Sequence, residues 1–319
     1  MLRSFFIYLS KASWARNIVM HWSFAWKMAS RFISGESLAD GIEAIKQLNK
    51  KGINATLDHL GEHTDTPEKA QQATMDILQA FDAIEEAGVR ANVSIKLTQL
   101  GMGLSGNTCL ENLVRILDKA KSYNSFVRID MEDSPVTQKT LDTLEALCQR
   151  GYSNVGIVIQ AYLYRSEADM RMLLDNCTKI RLCKGAYKEP ATIAFPKKSE
   201  VDANYDRCTA LLLNTAQSKS CPKISADGKI PPLPALATHD PKRIDFAKVY
   251  AEKIGLPKDA MEFQMLNGIR RDLQEQLVKE SYPVRIYVPY GTEWYPYFMR
   301  RLAERPANLW FFISNFFHR

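Results

Sequence analysis

The sequence predicts a (β/α)8 barrel of the TIM type, preceded by an N-terminal helical extension. Eight short apolar runs of extended character recur between residues 54 and 300, and helical patterns with start and stop signals separate them. Strands that alternate with helices over about 250 residues are typical of such a barrel. A doubly wound open sheet shows the same alternation, so the count of strands is what favours the barrel. We expect residues 1–50 to form the helical segment and residues 51–319 the barrel with its C-terminal helices.

The predicted strands are short, and most of them are nearly continuous in apolar residues. Such runs are expected of strands that are buried on both faces of a parallel sheet. In chain order they are Asn54–His59, Asn92–Leu97, Phe126–Met131, Val155–Gln160, Lys179–Lys184, Pro234–His239, Met261–Leu266 and Val284–Pro289.

The helices between the strands carry capping signals. A polar residue followed by proline opens them and a glycine follows the last turn, which is the usual asymmetry of helix ends. The clearest sets are Thr66-Pro67 with Gly88, Ser134-Pro135 with Gly151, and Asp240-Pro241 with Gly255. Residues 218–234 are rich in Lys, Pro and Gly, and we expect them to form a long surface loop.

The net charge of +6 is concentrated at the two ends of the chain. Residues 1–35 contain five basic residues and no acid, and residues 300–319 contain four arginines and one glutamate. Because nucleic-acid binding requires a basic face on the folded domain, no nucleic-acid partner is predicted. The six cysteines show no CxxC spacing, which argues against a disulfide framework or a zinc site and fits the reducing cytoplasm.

The N-terminal segment has two equal interpretations. Trp14, Trp22 and Trp26 lie among basic residues, a composition that suits an amphipathic helix at a bilayer surface. Packing of the same helices against the barrel is the other interpretation, and a cleaved transit peptide is a weaker one. No run reaches the roughly 18 apolar residues of a membrane-spanning helix.

Nearly every predicted strand ends in a polar or charged residue. These residues are Asp58, Lys96, Asp130, Gln160, Arg181 with Lys184, His239, Gln264 and Tyr287. The C-terminal ends of the strands carry the active site in (β/α)8 barrels, and packing alone requires no charge there. The pattern therefore predicts an enzyme with its active site at this end of the barrel.

The segment after the last strand contains a helical group of charged and aromatic residues. Tyr297 lies three and four positions before Arg300 and Arg301, which places the three on one helix face. Glu304 continues this face and is expected to neutralise one guanidinium. Since arginine binds carboxylates through two parallel hydrogen bonds, the pair suits a small carboxylate substrate, with a solvated basic helix end as the alternative. Pro296 is compatible with this helix in its first turn.

Two other patterns carry less weight. The glycines at positions 101, 103 and 106 have the spacing of a dinucleotide-binding loop, but three residues separate them from the preceding strand. We expect the next helix to begin at Asn107 or Thr108 and the glycines to form a loop over the barrel mouth. His59 and His63 have helical metal-ligand spacing, but Gly61 lies between them, and no metal site is predicted.

Five motifs along the predicted barrel occur together. They are Ser94–Leu97, Arg181–Tyr187, Ala237–Asp240, Glu262–Leu266 and the segment 287–308. As a set they resemble the proline dehydrogenase family, in its short monofunctional bacterial form, over nearly the whole chain. Asn267 departs from the family pattern, in which an aromatic residue is common after the Gln-Met-Leu run.

The resemblance implies a distorted (β/α)8 barrel that binds FAD, with FMN as the alternative. It implies oxidation of L-proline to Δ1-pyrroline-5-carboxylate, with hydride transfer from proline C5 to flavin N5. A membrane quinone would accept the electrons, which implies a cytoplasmic enzyme in peripheral contact with the inner face of the cell membrane. The oligomeric state stays open.

The resemblance also implies which residues bind the substrate. Arg300 and Arg301 would clamp the proline carboxylate, and Glu304 would orient them. Lys96 and Asp130 would form an ion pair beneath the substrate. The apolar ring would be enclosed by Tyr187, Leu266, Tyr287 and Tyr297.

A second set of residues is implied for the flavin. Arg181 would lie near N5, where positive charge favours the reduced, anionic flavin. The isoalloxazine and its tail would be held by Gln160, Lys184, Gly185, Ala186, Thr238, His239 and Gln264. One alternative is a flavoenzyme acting on hydroxyproline or another cyclic imino acid. The other is a non-enzymatic protein that binds membrane surfaces through its basic, aromatic ends.

Overall fold

The architecture is a closed barrel of parallel strands with helices around it. The computed structural model describes residues 8–9, 12–20, 23–61, 63–176 and 178–304. The strands are β1 (Asn54–His59), β2 (Ala91–Ile95), β3 (Val127–Ile129), β4 (Val155–Gln160), β5 (Lys179–Cys183), β6 (Pro234–Ala237), β7 (Glu262–Leu266) and β8 (Val284–Tyr290). Each strand pairs in parallel with the next, and β8 pairs with β1. This closure confirms the (β/α)8 fold and excludes the open sheet.

The helices follow the predicted alternation, with small shifts at their ends. They are α1 (Ser13–Met20), α2 (Ser23–Ala29), α3 (Leu38–Lys50), α4 (Pro67–Glu86), α5 (Gly106–Ser122), α6 (Ser134–Gln149), α7 (Ser166–Leu174), α8 (Lys198–Ser218), α9 (Pro241–Lys253), α10 (Arg271–Lys279) and α11 (Trp294–Glu304). The side chains of Thr66 and Asp240 accept N-cap hydrogen bonds as predicted. Ser134, however, is the first residue of α6, and Asp133 is its N-cap. Helix α5 begins at Gly106, earlier than expected, because the first turn requires no intrahelical N–H partner.

Most strands have an apolar outer face and carry polar side chains on the inner face. The outer residues that join the main hydrophobic core include Leu57, Val93, Ile129, Ile157, Leu182, Phe263 and Ile286. On the inner face, the Arg181 guanidinium reaches Thr56, Ser94 and Gln264, which lie on strands that do not neighbour β5. Most strands are buried on both faces, as expected, but the inner faces carry polar side chains as well as apolar ones. The polar inner side chains around Arg181 are tolerated because they hydrogen-bond to one another across the barrel axis.

The segment 219–233 closes the N-terminal end of the barrel. Arg285 Nη2 donates to the Gly228 carbonyl at 2.6 Å, and Asn92 Nδ2 donates to the Lys229 carbonyl at 2.9 Å. Gly228 is buried and has a φ of 69°, a conformation that favours glycine. The predicted loop is exposed at residues 222–223 and 226–227, as expected, but it also forms a plug, held by polar side chains at the bottom of β2 and β8.

Helices α1 and α2 pack against α11 in a second hydrophobic cluster. Trp26 and Trp294 lie with their ring centroids 5.3 Å apart, and Arg16 forms a 2.6 Å ion pair with Glu293. Trp14 remains 57% exposed, and Trp22 lies outside the described residues. Packing of the N-terminal helices is thus observed, on α11. Among the described residues, no helix combines the length and hydropathy needed to span a bilayer.

Candidate active site

A cavity of about 390 Å³ opens among the C-terminal ends of the strands. This volume is within the usual range for small-molecule sites. All predicted site residues except Glu304 line it: Lys96, Asp130, Gln160, Arg181, Lys184, Gly185, Ala186, Tyr187, Thr238, His239, Gln264, Leu266, Tyr287, Tyr297, Arg300 and Arg301. The side chain of Glu304, at the end of α11, lies outside the described residues. The sequence therefore identified a set of residues that the fold brings together.

Arg181 is the centre of a hydrogen-bonded network at the inner end of the cavity. Its Nε donates to Gln264 Oε1 at 2.5 Å, and its Nη1 donates to Asp130 Oδ1 at 2.9 Å. Asp130 also accepts from Ser94 Oγ and from the Tyr287 hydroxyl, each at 2.7 Å. Removing one partner of a buried ion pair costs about 3–5 kcal/mol, so these contacts hold Arg181 and Asp130 in one arrangement.

The ion pair of Lys96 differs from the expected one. Lys96 Nζ lies 2.9 and 3.3 Å from the two carboxylate oxygens of Asp58, whereas Asp130 pairs with Arg181. The predicted Lys96–Asp130 pair is therefore wrong, because Asp130 is engaged elsewhere and Asp58 projects from the adjacent β1. Burial alone would lower the pKa of Lys96, but the carboxylates of Asp58 and Asp130 outweigh it and raise that pKa. Lys96 is accordingly a fixed cation.

Two tyrosines of the cavity keep their protons at all ordinary pH values. Burial raises the pKa of Tyr187 to about 12, and the nearby Glu132 carboxylate acts in the same direction. Burial and the Asp130 carboxylate raise the pKa of Tyr287 well above its ordinary value. The Tyr287 ring also lies 5.4 Å from the Arg181 guanidinium. Both hydroxyls are hydrogen-bond donors rather than bases.

Helix α11 brings three of the predicted residues to the cavity. Pro296 is its third residue, in the first turn where proline is tolerated, and the helix continues to Glu304. Tyr297, Arg300 and Arg301 all line the cavity, and the Arg301 guanidinium lies 5.0 Å from the Tyr297 ring. The spacing argument therefore places these side chains correctly, on the helix that α1 and α2 cover.

Three of the residues predicted to bind the flavin, Lys184, Gly185 and His239, lie in the loops that follow β5 and β6. Lys184 is bound by the carboxylates of Asp202 and Asp240, which tie it to α8 and α9. His239 Nε2 accepts from the Leu266 backbone N–H at 2.9 Å. Gly185 has a φ of 122°, and a Cβ there would clash with the ring of Tyr162. Only glycine fits at that position.

The donor set of the cavity fits a flavin. It combines a buried guanidinium, two amides, a glycine turn and apolar side chains, which together suit a planar heterocycle with polar edges. Within the described ranges, no cluster of three or more His, Cys, Asp or Glu side chains that could hold a metal ion occurs.

Several residues around the cavity were not assigned from the sequence. Asp58 is the penultimate residue of β1 and was recognised only as a polar strand end, and it lines the cavity. Ser94 and Thr56 bind the Arg181 guanidinium from inside β2 and β1. Glu262 is fully buried and binds Gln264. A charged residue inside an apolar run was the signal for Glu262, whereas nothing marked the hydroxyls.

Comparisons with known proteins agree with the fold. The family model described as Proline dehydrogenase matches residues 41–313. Proline dehydrogenase 2 of Bacillus subtilis is 41% identical over 310 residues, covering 97% of this chain and 96% of the relative. Proline dehydrogenase of Deinococcus radiodurans is 42% identical over 293 residues, covering 91% of this chain and 90% of the relative.

A solved structure shares the fold. Proline utilization A from Bdellovibrio bacteriovorus, inactivated by N-propargylglycine, superposes with a TM-score of 0.78 at 28% identity and covers 87% of this chain. The match spans 32% of that longer protein, so this chain corresponds to about a third of it.

Proposed function

This chain belongs to the proline dehydrogenase family of oxidoreductases, and on that basis we propose that it oxidises L-proline to Δ1-pyrroline-5-carboxylate with FAD. The observation that carries the proposal is the shared cavity of Arg300, Arg301 and Tyr297 with the Arg181 network. One part of this cavity suits a ring that bears a carboxylate, and the other suits a flavin.

The substrate half follows from the chemistry of α11. Two adjacent guanidinium groups at a cavity attract a carboxylate and bind it through paired hydrogen bonds. Tyr187, Leu266 and Tyr297 supply the apolar and aromatic surface that a five-membered ring requires. Clamping the carboxylate fixes which face and which carbon of the ring point toward the cofactor half, and this orientation lowers the entropic part of the barrier.

The residues proposed for the cofactor are Gln160, Arg181, Lys184, Gly185, Ala186, Thr238, His239 and Gln264. When bound, FAD would accept a hydride from a carbon atom of the substrate. The protein would contribute orientation and electrostatics, and the buried guanidinium of Arg181 would stabilise negative charge that develops on the bound flavin. The contribution of Lys184 to cofactor binding would be indirect, because Asp202 and Asp240 already bind its ammonium group.

The basic atoms of the described cavity are already engaged, because Asp58 and Asp130 pair with Lys96 and Arg181 and His239 Nε2 accepts from the Leu266 N–H. The pKa values of Lys96, Tyr187 and Tyr287 all lie above their ordinary ranges, so these groups stay protonated. We therefore expect proline to react with its amine already neutral. The nitrogen lone pair then assists loss of hydride from the neighbouring carbon.

The proposed electron acceptor is a membrane quinone, reached by peripheral contact with the bilayer. Tyr8 and Trp14 are 63% and 57% exposed, and Lys27 on α2 is also exposed. Exposed aromatic and basic groups on neighbouring helices suit a membrane interface. Since α1 and α2 also hold α11, deletion of this segment would disturb the site, and single surface substitutions are the appropriate probes.

The proposal is tested by the visible absorption spectrum of the purified protein and by its turnover of L-proline. We expect the purified protein to show the visible absorption bands of a flavin and to reduce a soluble dye with L-proline. Turnover of L-proline should exceed that of trans-4-hydroxyproline; the reverse order would assign the enzyme to the hydroxylated substrate. A colourless protein that FAD cannot reconstitute would contradict the proposal.

The membrane part has its own test. Trp14→Ser with Lys27→Glu should weaken binding to anionic vesicles and lower quinone-linked activity, while dye-linked activity stays unchanged. Arg171→Lys on α7 is the matched surface control. Equal quinone-linked rates in the variant and the parent would contradict membrane contact through these helices.

A further inference from the structure

A column of polar side chains runs down the inside of the barrel from Arg181 to the plug formed by residues 219–233. Gln264 Nε2 donates to Glu262 Oε1 at 2.5 Å, and Arg285 Nε donates to the same oxygen at 2.9 Å. Arg285 in turn donates to the Gly228 carbonyl of the plug at 2.6 Å. The backbone at the bottom of the barrel thus anchors Glu262.

The column gives the Gln264 amide a single orientation. The Arg181 guanidinium can only donate hydrogen bonds, so the Gln264 oxygen must face it. A carboxylate paired with Arg285 accepts hydrogen bonds, so the Gln264 nitrogen must face Glu262. Without Glu262, the amide nitrogen would have no buried acceptor, and nothing on that side would favour this orientation over the flipped one.

The orientation of Gln264 matters because of what Arg181 holds. Gln264 binds the Nε edge of the guanidinium, while Nη1 binds Asp130 and Ser94. Because the guanidinium is planar, hydrogen bonds on two of its edges fix its orientation. If the Nε contact is lost, the guanidinium can rotate, and with it the Asp130 carboxylate that accepts from Tyr287.

We propose that Glu262 is a positioning residue, which acts through Gln264 to fix the Arg181 guanidinium in the active site. The proposal rests on the proposed function in one respect, namely that Arg181 faces the flavin. Glu262 is fully buried and does not line the cavity, so its effect on the reaction is indirect.

The kinetic test uses the holoenzyme with L-proline and a soluble dye. Glu262→Met should lower kcat by at least about tenfold and leave KM within about twofold, because the carboxylate clamp lies on α11. Glu262→Gln retains an acceptor oxygen for Gln264 and should restore kcat to within about threefold of the parent. Asp169→Leu is the control, since Asp169 is a buried carboxylate paired with Arg165 on α7 and should cost stability without altering either constant.

A structural readout separates this proposal from the proposed function. Crystals of Glu262→Met should show the Arg181 Nε–Gln264 Oε1 hydrogen bond broken, and those of Glu262→Gln should show it intact. If Glu262→Met does not fold, Glu262→Asp, which withdraws the carboxylate, should give the same kinetic loss. An intact bond in Glu262→Met, or parental kcat in Glu262→Met or Glu262→Asp, would overturn the positioning role. Absence of flavin or of proline turnover in the parent would instead overturn the proposed function.

Discussion

Replacement of Arg301 by lysine isolates the carboxylate clamp. Lysine keeps the positive charge and most of the length of the side chain, but it cannot present two parallel N–H groups to one carboxylate. The loss is one charge-assisted hydrogen bond, about 2 kcal/mol. The guanidinium of Arg301 also lies 5.0 Å from the Tyr297 ring, and an ammonium group retains part of that attraction. An energy of about 2 kcal/mol corresponds to a change of about 30-fold in affinity.

The expected result is a KM for L-proline about 30-fold higher, with kcat changed by less than about threefold, because ground and transition states share the carboxylate contact. The assay is dye-linked turnover, together with inhibition by cyclopentanecarboxylate, which keeps the ring and carboxylate but lacks the amine. Its inhibition constant should rise by the same factor. Arg171→Lys, on the outer surface of α7, should change neither constant. Parental KM and parental inhibition in Arg301→Lys would refute the clamp.

Three further predictions concern the rest of the site. Asp58→Asn should lower the melting temperature and the pKa of Lys96, because it removes the carboxylate that lies against this buried ammonium. Between neutral pH and pH 10.5, the ordinary lysine pKa, the ion pair should contribute its full stability, and it should lose it only as the pH rises further, because the folded-state pKa of Lys96 is raised. The pH profile of kcat/KM should show one ionisation, that of the proline amine, and Tyr187→Phe should keep its shape, since the Tyr187 pKa is about 12; a shifted profile would make Tyr187 a proton acceptor. Gly185→Ala should reduce flavin content measured by absorbance, because a Cβ would clash with Tyr162; full flavin occupancy would contradict this.

The barrel was predictable because its strands and helix ends carry local signals. The apolar outer residues of the strands and the caps at Thr66 and Asp240 are properties of short segments. The polar residues at strand ends were visible in the same way, because C-terminal strand ends meet in one place in a parallel barrel. The helical spacing of Tyr297 and Arg301 likewise predicted a shared face, and both line the cavity.

What the sequence did not reveal depends on distances across the barrel. Lys96 has two acidic neighbours, and only the structure shows that it pairs with Asp58 while Asp130 is occupied by Arg181. The plug formed by residues 219–233 has the composition of an exposed loop, and the burial of Gly228 within it follows from contacts with side chains far along the chain. The role proposed for Glu262 depends on Gln264 and Arg285, which hydrogen-bond to it inside the barrel.

The central claim is that one cavity binds a flavin and L-proline together and transfers reducing equivalents between them. The most direct measurement is the visible spectrum of the purified protein during anaerobic titration with L-proline. We predict that the flavin bands bleach as proline is added, and that Δ1-pyrroline-5-carboxylate forms in equal amount. Flavin bands that persist at saturating L-proline would contradict the account.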